Sequence, residues 1–220
     1  MSPYLLWQLV DSAFPTGGFA HSGGLEAAWR TGAIHGDGAL ERYLTEQVEQ
    51  AGEGALPFVG AAHDAPSEVA ELDAICDASL TNHVANRASR AQGQAWVAAT
   101  GAAFGIATLG ELKAALRRGA LAGHLAPIFG AVTRALDLPK PEVQRLFLFQ
   151  HVRGIASSAV RLNLAGPMEA QAMLARMAGV VEATWARCQA IAPGDAAQSA
   201  PLLDLWQGHH DRLYSRLFSS

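Results

Sequence analysis

Residues 167–191 read PMEAQAMLARMAGVVEATWARCQAI, and this stretch decides the fold class. Its apolar side chains recur at the i, i+3, i+4, i+7 spacing of one helix face: Ala170, Met173, Leu174, Met177, Val180, Val181 and Cys188. Residues 141–164 come just before it and are apolar nearly all round in their first half, which is typical of a buried central helix. The two stretches together predict a core of helix packed on helix.

Helical periodicity continues through most of the chain, and no stretch alternates as a β-strand does. Ser2 and Pro3 are typical of an N-cap followed by proline at the first helical position. We therefore predict an all-α fold, a single domain of about ten helices that spans residues 1–220. The last helix is predicted over about residues 201–218, and residues 200–220 are expected to form a C-terminal partner-binding helix or tail.

Composition and charge exclude several classes of protein. Half of the residues are hydrophobic and 16% are charged, which is enough to build a sizeable core. The net charge is −4 and the arginines form no basic stripe, so a nucleic-acid partner is not expected. The N-terminal residues do not resemble a signal peptide, and the longest uncharged run, residues 95–110, is shorter than a membrane helix requires. We expect a cytoplasmic protein without a membrane partner.

Motifs for catalysis and metal binding are missing. The stretch His21-Ser22-Gly23-Gly24 has Ala20 where the G-x-S-x-G nucleophile motif needs glycine, and its flanks are helical. No Gly-Lys-Ser/Thr sequence forms a P-loop, and no two of the eight histidines have the i, i+3 or i, i+4 spacing of a helical metal site. The two cysteines are interpreted as buried free thiols. We predict no enzyme activity, no catalytic residue, no metal ligand and no cofactor.

The stretch DSAFPTGGFAHSGGLE, residues 11–26, is the most unusual part of the chain. Its glycines at positions 17, 18, 23 and 24 permit positive φ or a close backbone approach. A simple connection between helices needs fewer special residues, so we interpret this stretch as a binding loop. The alternative is an interhelical loop with generous turn chemistry.

Two later stretches place polar residues on helix faces. Residues 82–93 bring Asn86, Arg90 and Gly93 to one side, which indicates either a small-residue packing seam or a contact surface. Residues 150–161 do the same on an apolar helix, with Gln150, Arg153, Gly154, Ser157 and Arg161. Buried polar groups must be hydrogen-bonded, so this second stripe is an internal network or, as we favour, the lining of an interface. Residues 210–218, HDRLYSRLF, carry the aromatic and arginine residues that are common in protein–protein hot spots.

These motifs, in this order, resemble the UreF family of urease accessory proteins over nearly the whole chain. The resemblance rests on LWQL at residues 6–9, PTGGF at 15–19, HSGGLE at 21–26, RASRAQG at 87–93, GH at 123–124, SSAVR at 157–161 and LYSRLF at 213–218. It implies an all-α homodimer that joins the accessory protein UreD (UreH in some systems). That complex recruits the GTPase UreG and passes nickel to apo-urease.

The resemblance also implies an adaptor whose work is done by surfaces. The candidate partner-binding residues are Phe19, His21, Ser22, Gly24, Glu26, Arg87, Arg90, Arg161, His210, Tyr214, Arg216, Leu217 and Phe218. We expect the segment from Tyr214 to Phe218 to become ordered on UreD and to make few core contacts. The alternative function is a nickel metallochaperone that holds the ion through His21, His124, His209 and His210. Many members of the family carry tyrosine where His21 stands.

Overall fold

The computed structural model describes residues 3–220, so Ser2 of the predicted N-cap lies outside the described residues. Within that range the chain is all-α, as predicted, and no β-strand occurs there. Its helices are α1 (Pro3–Val10), α2 (Leu25–Arg30), α3 (Ala39–Gly54), α4 (Leu56–Asp64), α5 (Val69–Ser79), α6 (His83–Phe104), α7 (Leu109–Arg117), α8 (Leu125–Ala135), α9 (Lys140–Arg161), α10 (Pro167–Cys188) and α11 (Pro201–His209).

The centre of the fold is the packing of α4 against α8. Most residues of both helices are buried, which explains why neither has a polar face. Gly130 lets the two backbones approach, because a Cβ at this position would lie only 2.3 Å from the carbonyl oxygen of Val59. Helix α9 packs on α3, α4, α8 and α10, so the central buried helix predicted over residues 141–164 is confirmed.

An aromatic series connects the N-terminal loop to this core. Phe14 contacts Trp96 of α6 at a centroid distance of 5.8 Å, Trp96 stacks on Phe129 of α8 at 4.6 Å, and Phe129 meets Phe147 of α9 at 5.4 Å. Aromatic pairs at these separations add to the burial of their surface. The base of the loop is therefore anchored in the core and does not project from it.

The C-terminal helix is shorter than predicted. Helix α11 ends at His209, a 3-10 turn follows over His210–Arg212, and the remaining residues form no α-helix. The prediction of one helix to about residue 218 was wrong because tertiary contacts replace helical hydrogen bonds there. The backbone N–H groups of Leu217, Phe218 and Ser219 donate to acceptors in α2 and the N-terminal loop. We call residues 213–220 the tail and residues 11–24 the loop.

The fold tests the predicted state of the two cysteines. Cys76 and Cys188 are buried free thiols, as predicted, and burial raises the pKa of the Cys76 thiol to about 12. None of the helices between residues 3 and 220 is both long and apolar enough to span a bilayer.

Candidate partner-binding site

The loop takes its shape from glycines that occupy the left-handed region. Gly17, Gly23 and Gly24 have φ values of 75°, 62° and 88°, and the short 3-10 turn Gly18–Ala20 lies between them. Gly24 also packs closely, because a Cβ there would lie 3.1 Å from the backbone nitrogen of Gln207 in α11. Gly18 has neither a positive φ nor a close backbone neighbour within this chain, so the first of the two expected reasons for glycine does not apply to it.

We therefore expect alanine substitutions at two loop glycines to have different effects on the free energy of unfolding. Gly24→Ala should cost about 1–3 kcal/mol of unfolding free energy, because it forces a side chain into the left-handed region. Gly18→Ala should stay within about 0.5 kcal/mol, since its Cβ would only make ordinary contacts at 3.6 Å. Urea unfolding of both variants measures the difference. Equal losses would show that neither the positive φ nor the close packing of Gly24 limits the loop.

The tail folds back on the loop and pairs with its backbone. The N–H of Ser22 donates to the carbonyl of Ser220 at 2.7 Å, and the N–H of Ser219 donates to the carbonyl of Ala20 at 2.8 Å. The Ser22 hydroxyl adds a bond of 3.1 Å to the same Ser220 carbonyl. His21 lies against the Ser220 hydroxyl, with Nδ1 and Oγ 2.6 Å apart. The loop and the tail thus form one structural unit.

Glu26, at the start of α2, is the central attachment point for the tail. Its side chain is fully buried, and its two carboxylate oxygens accept the N–H groups of Leu217 at 2.8 Å and Phe218 at 3.1 Å. Bonds from N–H groups to a carboxylate are among the stronger hydrogen bonds in proteins. The expectation that the tail makes few core contacts was wrong, because Phe218 is only 5% exposed and belongs to the hydrophobic core.

Arg161, at the end of α9, joins the loop and the tail from a third direction. Its guanidinium lies 3.7 Å from the ring centroid of Phe19 and 4.2 Å from that of Phe218. It also donates a hydrogen bond to the carbonyl of Phe19. Cation–π contacts with two rings hold a flexible side chain in one orientation. Phe19 itself remains 69% exposed.

Asp211 brings two arginines and one histidine together at the base of the tail. It accepts two hydrogen bonds from Arg87 of α6, at 2.7 and 2.5 Å, and contacts Arg216 at 3.0 Å and His83 at 3.1 Å. The bonds from Arg87 hold the pKa of the Asp211 carboxyl well below its usual range. Two guanidinium groups, those of Arg87 and Arg216, therefore share one carboxylate at the base of the tail.

The stretch 87–93 is a packing seam as well as a part of this site. A Cβ on Gly93 would lie 2.1 Å from the carbonyl oxygen of Gly123, so only glycine fits. Asp73, which is buried, fixes that opposing backbone by accepting the N–H groups of Gly123 and His124. Arg90, one of the candidate partner-binding residues, reaches across to the carbonyl of Ala122 at 3.3 Å.

Two residues of the polar stripe of α9, Gln150 and Arg153, belong to an internal network, while Ser157 is exposed and Arg161 lies between the loop and the tail. Gln150 donates to the carbonyl of Leu9 at 2.8 Å and Arg153 donates to that of Val10 at 2.5 Å. These are C-terminal carbonyls of α1, which have no partner within their own helix. Gln150 and Arg153 therefore attach the end of α1 to α9 at the centre of the fold.

A cavity of about 220 Å³ lies beneath the loop, among side chains of α3, α6 and α9. His21, Gln47, Gln150 and His151 contribute its polar wall. His151 Nε2 lies 3.1 Å from Gln47 Oε1, and burial lowers the pKa of His151 to about 4, which keeps the imidazole neutral. Gln47 and His151 were missed from the sequence, because each stands singly in a helical pattern.

The candidate residues fall into two groups in this structure. Those on the surface are Phe19, Arg87, Arg90, Tyr214, Arg216 and Leu217, with His21 and Arg161 partly exposed. Those buried within the chain are Ser22, Gly24, Glu26, His210 and Phe218. The buried group supports the surface group, and direct contact of the buried residues with a partner stays a prediction.

Among residues 3–220, no group of three or more His, Cys, Asp or Glu side chains is arranged to hold a metal ion. His124 is buried between Asp77, 2.9 Å from its Nε2, and Ser89, 3.2 Å from its Nδ1. Those contacts explain its position at the start of α8, where Ser89 also accepts the N–H of Leu125.

Comparison with known proteins matches this arrangement to one family. The UreF family model matches residues 34–178. Urease accessory protein F of Arabidopsis thaliana is 40% identical over 97% of this chain and 91% of its own length. Urease accessory protein F of Oryza sativa subsp. japonica is 36% identical over 96% of this chain and 83% of its own length. UreF of Arthrobacter sp. (strain FB24) is 32% identical over 98% of this chain and 96% of its own length. The chain therefore belongs to the UreF family of urease accessory proteins.

Proposed function

We propose that this chain acts in the cytoplasm as an adaptor in nickel-dependent maturation of urease. In this proposal it binds UreD (or UreH) and the GTPase UreG, so that nickel reaches apo-urease, and it performs no catalytic step itself. The relatives are named as accessory proteins and not as catalysts, which supports a role of this kind. The homodimer implied by the family resemblance is part of the proposal.

The observation that carries the proposal is a set of exposed aromatic, aliphatic and arginine side chains on the tail and loop. Tyr214 is fully exposed, Phe19 is 69% exposed and Leu217 is 51% exposed. Arg161 and Arg216 lie among them through the contacts described above. Tyrosine and arginine are the residue types that most often dominate binding energy at protein–protein interfaces.

The same surface is fixed by contacts within this chain, whereas the family resemblance led us to expect that the tail becomes ordered on UreD. Arg161 is fixed between two rings, and the backbone of the tail is fixed by Glu26 and by the loop carbonyls. Binding costs less when side chains and backbone are already ordered, so affinity improves without further contacts. A rigid, exposed surface of hot-spot residues is what an adaptor needs.

The proposal is tested by complex formation with purified UreD (or UreH) and UreG. The double variant Tyr214→Ala/Leu217→Ala should weaken binding by at least about 2 kcal/mol, roughly thirtyfold, because it removes two exposed contact side chains. Its melting temperature should not change, since neither side chain is buried. Met168→Ala, which removes an apolar side chain that is 81% exposed at the start of α10, is the matched control.

Binding to neither protein would overturn the adaptor role, and unchanged affinity in the double variant would exclude the tail as the contact surface. Analytical ultracentrifugation of the chain alone tests the homodimer. The metallochaperone alternative has no observation in its favour in the described part of the chain. Calorimetry with nickel separates it: micromolar binding that is lost in His209→Ala/His210→Ala would support a carrier.

A further inference from the structure

His210 is a buried polar side chain without a partner. Its side chain is fully buried, and neither ring nitrogen has a hydrogen-bond partner among residues 3–220. Buried polar groups in proteins are nearly always hydrogen-bonded, so this position needs an explanation. The nearest charged atom is Oε2 of Glu26, 3.6 Å from Nε2, on the carboxylate that holds the tail. The unpartnered imidazole therefore stands beside the attachment point of the tail.

Charged or titratable groups face His210 from α2, from α6, from the loop, from its own 3-10 turn and from the tail. Glu26 faces it from α2. Asp211, the next residue of the same 3-10 turn, lies 3.9 Å from Nδ1. Arg87 approaches from α6 and Arg216 from the tail. His21 of the loop is close enough to interact with it electrostatically. The surroundings thus contain two carboxylates, two guanidinium groups and a second imidazole.

Neither carboxylate lies within hydrogen-bond distance of His210, because Glu26 Oε2 is 3.6 Å from Nε2 and Asp211 Oδ1 is 3.9 Å from Nδ1. The oxygens of Glu26 accept the N–H groups of Leu217 and Phe218, and those of Asp211 accept Arg87 and Arg216. An imidazolium has two N–H donors. It would remain buried without acceptors, or it would draw Glu26 away from the tail. Both outcomes weaken the docking of the tail.

We propose that Glu26 and His210 form an acid-sensitive catch that holds the tail closed at neutral pH and releases it when His210 gains a proton. This inference rests on the proposed function, because the tail carries the surface offered to partners. Release exposes the Phe218 ring, and the backbone that positions Tyr214 and Leu217 is then no longer held by Glu26 and the loop. The availability of the adaptor surface then depends on pH.

The direction of the effect follows from the environment of the imidazole. Burial lowers the pKa of His210 below its ordinary value of 6.5, Glu26 acts in the opposite sense, and Arg216 lowers it again. Burial is the largest of these influences, so the pKa of His210 is lowered overall. The released form therefore binds the proton more readily than the closed form. The catch is fully effective above pH 6.5 and is lost as the pH falls below that value.

His21 contributes in the same direction. Its pKa is also lowered, first by burial and then by Arg87 and His210, and its Nδ1 contacts the Ser220 hydroxyl at 2.6 Å. The Asp211 carboxyl takes up its proton at a much lower pH and does not compete in this range. The test must therefore separate His210 from His21.

The experiment measures hydrogen-exchange protection of the Leu217 and Phe218 amides by NMR, corrected for the intrinsic exchange rate, from pH 7.5 to 5.5. In the unmodified chain, protection should fall as the pH drops below 6.5, by at most about tenfold per pH unit for each proton taken up. In His210→Phe, which fills the site with a ring that cannot titrate, this loss of protection should disappear or shrink to the part that protonation of His21 causes. In His21→Gln, the part of the loss that protonation of His210 causes should remain.

The control is His35→Gln, at an exposed histidine, which should lose protection as the unmodified chain does.

A fall of full size in His210→Phe overturns the proposal, as does its complete loss in His21→Gln. Should His210→Phe fail to fold, the imidazole of His210 is titrated directly in the unmodified chain. A midpoint below 6.5, with protection of Leu217 and Phe218 falling between pH 6.5 and that midpoint, supports the catch, and a midpoint above 6.5 or unchanged protection in that range overturns it. No partner is used, so these outcomes are independent of complex formation with UreD or UreG.

Discussion

Gly93→Ala is expected to destabilise the whole domain by roughly 3 kcal/mol or more, because a single methyl group would overlap the backbone of the neighbouring segment. The new Cβ would lie 2.1 Å from the carbonyl oxygen of Gly123 and 2.9 Å from the carbonyl carbon of His124. That segment cannot shift easily, since Asp73 binds both of its N–H groups. Relief therefore requires α6 and α8 to separate, which loosens the core around Trp96 and Phe129.

Differential scanning calorimetry measures this effect, with an expected fall in melting temperature of about 10 °C. Gly179→Ala is the matched control, because Gly179 is an exposed glycine inside α10 and a Cβ there meets nothing within 4 Å. Alanine favours the helix over glycine, so this control should melt at the same temperature or slightly higher. A Gly93→Ala protein as stable as this control would mean that the seam between α6 and residues 123–124 is loose.

Glu26→Ala is expected to free the tail while most of the domain stays folded. The substitution leaves the N–H groups of Leu217 and Phe218 without an acceptor, and each unsatisfied buried group costs about 1–3 kcal/mol. For the two groups together the closed tail should therefore be destabilised by roughly 2–6 kcal/mol, which is at least about a thirtyfold rise in its open population. Hydrogen exchange at these two amides, or limited proteolysis after Arg212 and Arg216, detects the opening.

Glu26→Gln grades the effect, because its amide keeps one acceptor oxygen in nearly the same place. We expect the open population to rise from the unmodified chain to Glu26→Gln and again to Glu26→Ala. Glu71→Ala, which removes an exposed acid from α5, is the control for the change in net charge. If Glu26→Ala leaves the tail as protected as Glu71→Ala does, contacts of Phe218 and the loop carbonyls are sufficient to hold it.

The helices were predictable because their apolar positions follow the helical period for several turns. The stretch 167–191 predicts α10 (Pro167–Cys188), and residues 141–164 predict α9 (Lys140–Arg161) with its central, buried position. Local patterns of this length determine which face of a helix is apolar. The C-terminal segment was predicted as helix for the same reason, and there the local pattern failed. Its backbone N–H groups find stronger acceptors in the side chain of Glu26 and in the loop.

The candidate site was predicted in part. Residues 11–26 and 210–218 were both recognised as special, since their glycine, aromatic and arginine content is not explained by packing alone. Their mutual contact was not predicted, because Glu26 and Leu217 are 191 residues apart in the sequence. The division into exposed Phe19, Tyr214 and Leu217 and buried Glu26 also needed the structure.

The sequence by itself determined the all-α fold class, the order of the main helices and the membership of the UreF family. These depend on periodicity and on motifs that are local in the chain. Only the tertiary structure decided what the polar residues do: that Gln150 and Arg153 bind the end of α1, that Glu26 holds the tail, and that His210 is buried without a partner. The physical reason is that a hydrogen bond depends on which groups meet in space. A buried polar group without a hydrogen bond costs free energy, so its partner can be identified only once the packing is known.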